Sequence, residues 1–188
     1  MKKIILLLVM LSFLAPGAVF AETDWTGNIN FFLGTKSLKR ADWDPVEEQV
    51  EAGIEIAFGK RTWPVMVAFD FMSSSRSEGI FGLGKEGETS EMNIGIRKSF
   101  NVDNMHPFVG AGLSNMHGEF ISPGEPACTG NGTGTWLAGG IYWTLGSHFN
   151  LGFEAKSTSA NATFSCPGGN VDADIGGGHF GLLLGYHF

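Results

Sequence analysis

The chain has 188 residues, with 19 acidic and 12 basic side chains and a formal net charge of −7. An acidic chain without a basic stripe excludes a nucleic-acid partner, because nothing would neutralise the phosphates. The length fits one domain. After residue 21 no segment approaches the run of roughly 18 apolar residues that a membrane-spanning helix needs.

The first residues carry an export pattern. Met1-Lys2-Lys3 is a basic start, Ile4 to Leu14 is apolar apart from Ser12, and Pro16-Gly17 breaks the run ahead of Val19-Phe20-Ala21. This pattern predicts a cleaved signal peptide over residues 1–21 and a single mature domain over 22–188. An exported chain without an apolar helix enters a membrane only as a closed barrel.

Eight segments then alternate with a period of two, the signature of strands. The first runs from about Trp25 to Lys36, with Ile29, Phe31 and Leu33 opposite Thr26, Asn28 and Asn30. The second, Gln49–Gly59, sets Val50, Ile54 and Ile56 against Glu51, Gly53 and Glu55. Pro64–Ser73 sets Val67, Phe69 and Phe71 against Ala68, Asp70 and Met72. Thr89–Lys98 sets Met92, Ile94 and Ile96 against Glu91, Asn93, Gly95 and Arg97. The fifth strand is Pro107–Gly118. The sixth, Thr135–Leu145, is ambiguous, because Trp136 and Tyr142 oppose Leu137, Ile141 and Trp143. The seventh, Phe149–Ser157, sets Phe149, Leu151 and Phe153 against Glu154 and Lys156. The eighth, Gly177–Phe188, has Phe180, Leu182, Leu184, Tyr186 and Phe188 opposite His179, Gly181, Gly185 and His187.

Three features favour a membrane barrel over a soluble sandwich, so the expected fold is all-β, an eight-stranded antiparallel up-and-down transmembrane β-barrel. The polar faces combine glycine with charge, as a narrow lumen requires. Connections after the even strands are short and those after the odd strands are long, which puts turns on one rim and loops on the other. Trp25, Phe58, Trp143, Phe149, Tyr186 and Phe188 gather near the short-turn ends, where an interfacial girdle sits. Long loops are expected at 37–48, 74–87, 119–134 and 158–176.

Two short stretches carry a family resemblance. Gly181-Leu182-Leu183-Leu184-Gly185-Tyr186-His187-Phe188 resembles the C-terminal signature of outer-membrane barrels, and His106-Pro107-Phe108-Val109-Gly110-Ala111-Gly112-Leu113 is similar to a strand of OmpA/OmpX-type small barrels. The resemblance implies a bacterial outer-membrane location and contact with outer-membrane lipid. It also implies recognition by the barrel-assembly machinery through Phe180, Leu182, Leu184, Tyr186 and Phe188. Unlike OmpA-type proteins, which add a peptidoglycan-binding domain after the barrel, this protein is expected to be a barrel alone.

The remaining chemistry is sparse. Cys128 and Cys166 fall in the third and fourth long loops, and an even cysteine count in an exported chain favours a disulfide. Such a bridge would stabilise by about 3–4 kcal/mol on the chain-entropy model. On the inward face, Glu55, Asp70 and Glu154 should pair with Arg97 and Lys156 as a lumen charge network, while Glu51 and Glu91 are expected to be solvated near the outer rim. For lipid A hydrolysis, Ser147-His148 lies on the wrong rim, and Ser114 and His117 fall on opposite faces. His179 and His187 are too far apart to share an ion. No catalytic residue, metal site or cofactor is therefore assigned. The expected role is structural or surface-interacting, with a mostly plugged polar lumen and loops free for an extracellular ligand. Two alternatives are a narrow, OmpW-like conduit for small or apolar solutes, with Met66, Asp70, Met72 and Phe108 inside, and a lipid A-modifying enzyme.

Overall fold

Period-two alternation puts one residue set outside and the other inside every strand, and a sheet patterned this way buries its small-and-polar face by closing on itself. The computed structural model describes residues 24–79 and 84–188. The expected signal peptide and Phe81 lie outside the described residues.

The elements are β1 (Trp25–Leu38), the one-turn helix α1 (Arg40–Trp43), β2 (Glu48–Lys60), β3 (Met66–Ser77), β4 (Glu86–Ser99) and β5 (Met105–Ile121). They are followed by β6 (Cys128–Leu145), β7 (Phe149–Cys166), β8 (Gly169–Asp174) and β9 (Gly177–His187). Each strand from β1 to β7 pairs antiparallel with the next, β7 pairs with β9, and β9 pairs with β1. The result is a closed eight-stranded antiparallel barrel.

β8 is the upper half of the last strand. Asn161 pairs with Asp174 and Thr158 with Gly177, so both β8 and β9 keep one register against β7. The interruption falls at Ile175-Gly176, where both backbone N–H groups donate to the Ala160 carbonyl at 2.9 and 3.3 Å.

The register fixes the barrel's stagger. From Asn28 the pairing runs through Ala57, Ala68, Gly95, Gly112, Trp136, Thr158 and Gly177, and returns to β1 at Leu38. The offset from 28 to 38 corresponds to a strand tilt of about 40° and a backbone radius of about 8 Å. A cylinder that narrow has room inside for side chains and little else.

The two faces separate cleanly. Leu113, Leu137, Phe180 and Phe71 point outward and are 65%, 64%, 62% and 56% exposed, whereas Phe32, Met72, Phe108 and Leu183 point inward and are buried. Trp136 and Tyr142 settle the ambiguous sixth strand, since both point inward and are buried. Near the short-turn rim Trp25 lies 6.2 Å from Phe58 and 5.6 Å from Trp63, measured between ring centroids.

Two of the expected loops are strands. β5 reaches Ile121 and β6 starts at Cys128, while β7 reaches Cys166 and turns through Pro167-Gly168 into β8. The sequence hides these extensions because their outward residues are polar (Ser159, Asn161, Thr163, Ser165) while their inward ones are small or apolar and buried (Ala160, Ala162, Phe164), the reverse of the membrane band. The apolar-outward pattern stops there, and Gly, Ser, Thr and Asn read as loop residues. Gly169, at φ 122°, supplies the left-handed residue after the turn.

Candidate functional site

The inward face builds layers whose order follows position along the strands. Near the short-turn rim, Asn28, Asn30, Asn150 and Tyr142 form a neutral polar group. Asn30 Nδ2 donates to Asn28 Oδ1 at 3.1 Å, and Asn28 Nδ2 donates to the Tyr142 hydroxyl at 3.4 Å. Above them lies an ionic layer. Arg97 donates through Nη1 and Nη2 to Glu55 Oε2 at 3.1 and 3.0 Å, and through Nη2 to Glu154 Oε2 at 3.1 Å. Lys156 Nζ donates to Asp70 Oδ2 at 2.9 Å and stands 3.2 Å from Glu154 Oε1 and 3.6 Å from Glu55 Oε1. All five of these side chains are fully excluded from solvent.

Aromatic rings pack against the two cations. The Arg97 guanidinium carbon lies 4.4 Å from the Phe108 centroid, and Lys156 Nζ lies 5.7 Å from that of Trp136. A cation on a ring face gains quadrupole attraction, and more so when desolvated. Small residues opposite these rings make the space. A Cβ at Gly95 would stand 2.7 Å from Trp136 Cζ2, and one at Gly140 would stand 2.6 Å from Phe108 Cζ.

A second ionic layer lies nearer the long-loop rim. Lys36 Nζ donates to Glu91 Oε1 at 2.5 Å, to Thr89 Oγ1 at 2.9 Å and to the Ile175 carbonyl at 3.1 Å. His179 Nδ1 lies 2.8 Å from Glu51 Oε2, and its Nε2 is 2.9 Å from Thr158 Oγ1. Glu51 and Glu91, expected to be solvated, are instead buried and paired. The apolar layer above them excludes water, so each carboxylate takes its partner from a strand it is not paired with, Glu91 of β4 from β1 and Glu51 of β2 from β9.

Lys36 is the interior residue that sequence reasoning missed. It shares the parity of Asn28 and Asn30, which was the available signal. Counting it, five inward carboxylates face three permanent cations and the His179 imidazole. Glu51, Glu91 and His179 also bring three donor atoms within 4.8 Å of one another, a spacing a divalent ion would accept. The Lys36 ammonium against Glu91 already supplies positive charge there, and the cluster reads as an ion-pair group.

A third, apolar layer closes the long-loop end. Leu38, Trp43, Val46, Met116, Phe164 and Ile175 are buried together. Trp43 is positioned by α1, with its Nε1 donating to the Asp174 carbonyl at 2.7 Å.

Cys128 and Cys166 are joined as a disulfide, with Cα atoms 4.5 Å apart. They are cross-strand neighbours at the ends of β6 and β7, beyond the Thr129–Ser165 pair. The bridge therefore fastens two strands already in register, where the sequence suggested a tether between two loops. The candidate hydrolytic pairs are not assembled. Ser114 is buried inside while His117 is outside, its Nδ1 2.9 Å from Asn131 Oδ1. His148 Nδ1 lies 2.9 Å from the His187 carbonyl oxygen on the short-turn rim.

The decisive comparison is with solved structures, since no protein-family model and no curated protein sequence matches the chain. The outer membrane protein OprG from Pseudomonas aeruginosa superposes with a TM-score of 0.62 at 12% identity, over 87% of this chain and 95% of that one. The attachment invasion locus protein Ail of Yersinia pestis gives 0.59 at 13% identity, over 88% of this chain and all of that one. Ail has also been crystallised with the heparin analogue sucrose octasulfate. Neisserial surface protein A gives 0.56 at 11% identity, over 88% and 98% of the two chains. The fold is that of the small eight-stranded outer-membrane β-barrels.

Proposed function

We propose that this protein is an integral outer-membrane barrel that presents its long-loop rim to the medium, with a structural or surface-interaction role and a lumen closed to solutes. The observation that carries the reading is the Arg97–Glu55–Glu154–Lys156–Asp70 cluster, a set of fully buried, mutually paired side chains inside the barrel. The outward apolar band supports the membrane setting, since exposed apolar surface on this scale requires a lipid partner. The start of β1 and the end of β9 then lie on the periplasmic side, and the disulfide lies on the extracellular side. Phe180, Leu182, Leu184, Tyr186 and Phe188 are the assembly signal in this reading, and β9 is the strand that closes the barrel on β1. No catalytic residue is assigned.

Reconstitution into planar bilayers tests the closed lumen, with no steady conductance expected and stable open channels refuting it. Migration of unheated against heated protein on gels tests the barrel in detergent. A compact heat-modifiable band is expected.

The alternative is a narrow conduit for small or apolar solutes. The apolar surface at the long-loop mouth favours it, and uptake by loaded liposomes would distinguish the two. Polyanions such as the one crystallised with Ail suit this chain poorly. Segments 38–48, 76–88, 119–128 and 166–176 together carry eleven carboxylates against four basic side chains, and a field of that sign repels sulfate.

A further inference from the structure

The apolar layer at the long-loop end does not finish flat. Above it stands a bowl of about 260 Å³ whose surface includes Trp43, Phe120, Phe164, Ala173 and the Cys128–Cys166 disulfide, with Asp42 at the lip. The rings meet edge to face. Trp43 and Phe164 have centroids 5.8 Å apart at 80°, and Trp43 and Phe120 are 6.3 Å apart at 73°. Because Trp43 Nε1 is taken by the Asp174 carbonyl, the indole turns only apolar surface toward the bowl. Asp42 is fixed by the same strand, its Oδ2 accepting from the Asp174 N–H at 3.1 Å; the exposed Lys39 ammonium stands 3.7 Å from the same oxygen, and the Asp42 side chain remains 23% exposed.

Two electrical features bear on this apolar surface. The surrounding segments carry the eleven-to-four excess of carboxylates noted above. The chain also places a cation of its own on one of these rings, with Lys85 Nζ 5.8 Å from the Phe120 centroid. Ring quadrupoles and surrounding carboxylates attract positive charge. The apolar walls reward a ligand body that gives up water. An anion is repelled here, and a small hydrated metal ion gains nothing from the walls.

We propose that this bowl binds a small organic cation, a quaternary or alkylated ammonium on an apolar body, with its charge toward Asp42 and its body against Trp43, Phe120 and Phe164. The site lies above the ionic layers and does not depend on whether the lumen conducts.

The test is calorimetric titration of the disulfide-intact protein in lipid nanodiscs with benzyltrimethylammonium, benzyl alcohol and benzoate, with empty nanodiscs as the blank. Saturable binding of the ammonium is expected, at least fivefold tighter than that of the alcohol and with none for benzoate. Asp42→Asn keeps an oxygen for the Asp174 N–H and should weaken only the ammonium, at least fivefold. Phe120→Ala should weaken the ammonium and the alcohol alike. Heat-modifiable migration confirms that each variant is folded. Equal binding of the alcohol or benzoate, undiminished ammonium affinity in Asp42→Asn or Phe120→Ala, or no saturable ammonium binding at millimolar concentration would each overturn the proposal.

Discussion

Lys36 of β1 and Glu91 of β4 meet inside the barrel, ammonium to carboxylate at 2.5 Å, with both side chains shut off from solvent. Three strand pairings separate them along the sheet, and closure of the barrel brings them together. Replacing Lys36 by Met leaves the Glu91 carboxylate buried without its ammonium. The expected cost is about 3–5 kcal/mol, read as a lower urea midpoint for unfolding from lipid vesicles. Adding Glu91→Gln to Lys36→Met should recover much of the loss. Equal midpoints for Lys36→Met and wild type would refute the pairing.

Arg97 holds Glu55 and Glu154 at once and packs on Phe108. Arg97→Ser removes both the plugging volume and one of the two cations facing three carboxylates. Water should enter the space left behind, and the lumen should pass cations in preference to anions. A reversal potential of cation-selective sign in a KCl gradient is the expected result. A bilayer as silent as with wild type would show that the neighbouring layers close the lumen without Arg97.

Gly95 gives Trp136 its place inside the barrel. A Val there sets its Cβ into the indole and against the Ala111 carbonyl oxygen. Overpacking of this kind costs about 1–3 kcal/mol. Gly95→Val should lower the unfolding midpoint and shift Trp136 emission, and Gly95→Ala should show the same trend more weakly.

The disulfide should be quantitative and dispensable for the fold. Alkylation of the unfolded protein should add mass only after reduction, and labelling without reduction would contradict the bridge. Cys128→Ser/Cys166→Ser should keep the heat-modifiable barrel, because β6 and β7 remain paired from Thr129–Ser165 down to Leu145–Phe149. The expected stability loss is at most about 4 kcal/mol.

Phe188 carries an assembly prediction. Its backbone N–H donates to the Gly27 carbonyl at 2.9 Å, and its carbonyl oxygen accepts from the Gly27 N–H at 3.0 Å. Phe188→Ala keeps both bonds. The variant should therefore lose yield of inserted protein in cells, while protein refolded in detergent unfolds as wild type does. Equal losses in both settings would make Phe188 a packing residue only.

The sequence by itself determined which way the side chains of most strands face, the sixth excepted, because alternation is local and successive residues of a strand must point to opposite sides. Inward Asp70, Glu55, Arg97, Glu154 and Lys156, outward Phe180 and Leu182, and the alternation of short-turn and long-connection rims were readable at that level, though two of the long connections proved to be strand extensions. It did not determine height. Which inward residues share a layer depends on seven successive registers and on the offset from Asn28 to Leu38 when β9 returns to β1. For that reason Lys36 could be assigned a face but not its partner Glu91, and Glu51 could not be matched to His179. The cap was hidden for a related reason. A four-residue helix has no periodicity to detect, and Trp43 becomes a bowl wall only where Asp174 of β8 accepts its indole proton. Tertiary closure decided the ion pairs, the burial of Glu51 and Glu91, and the aromatic bowl above them.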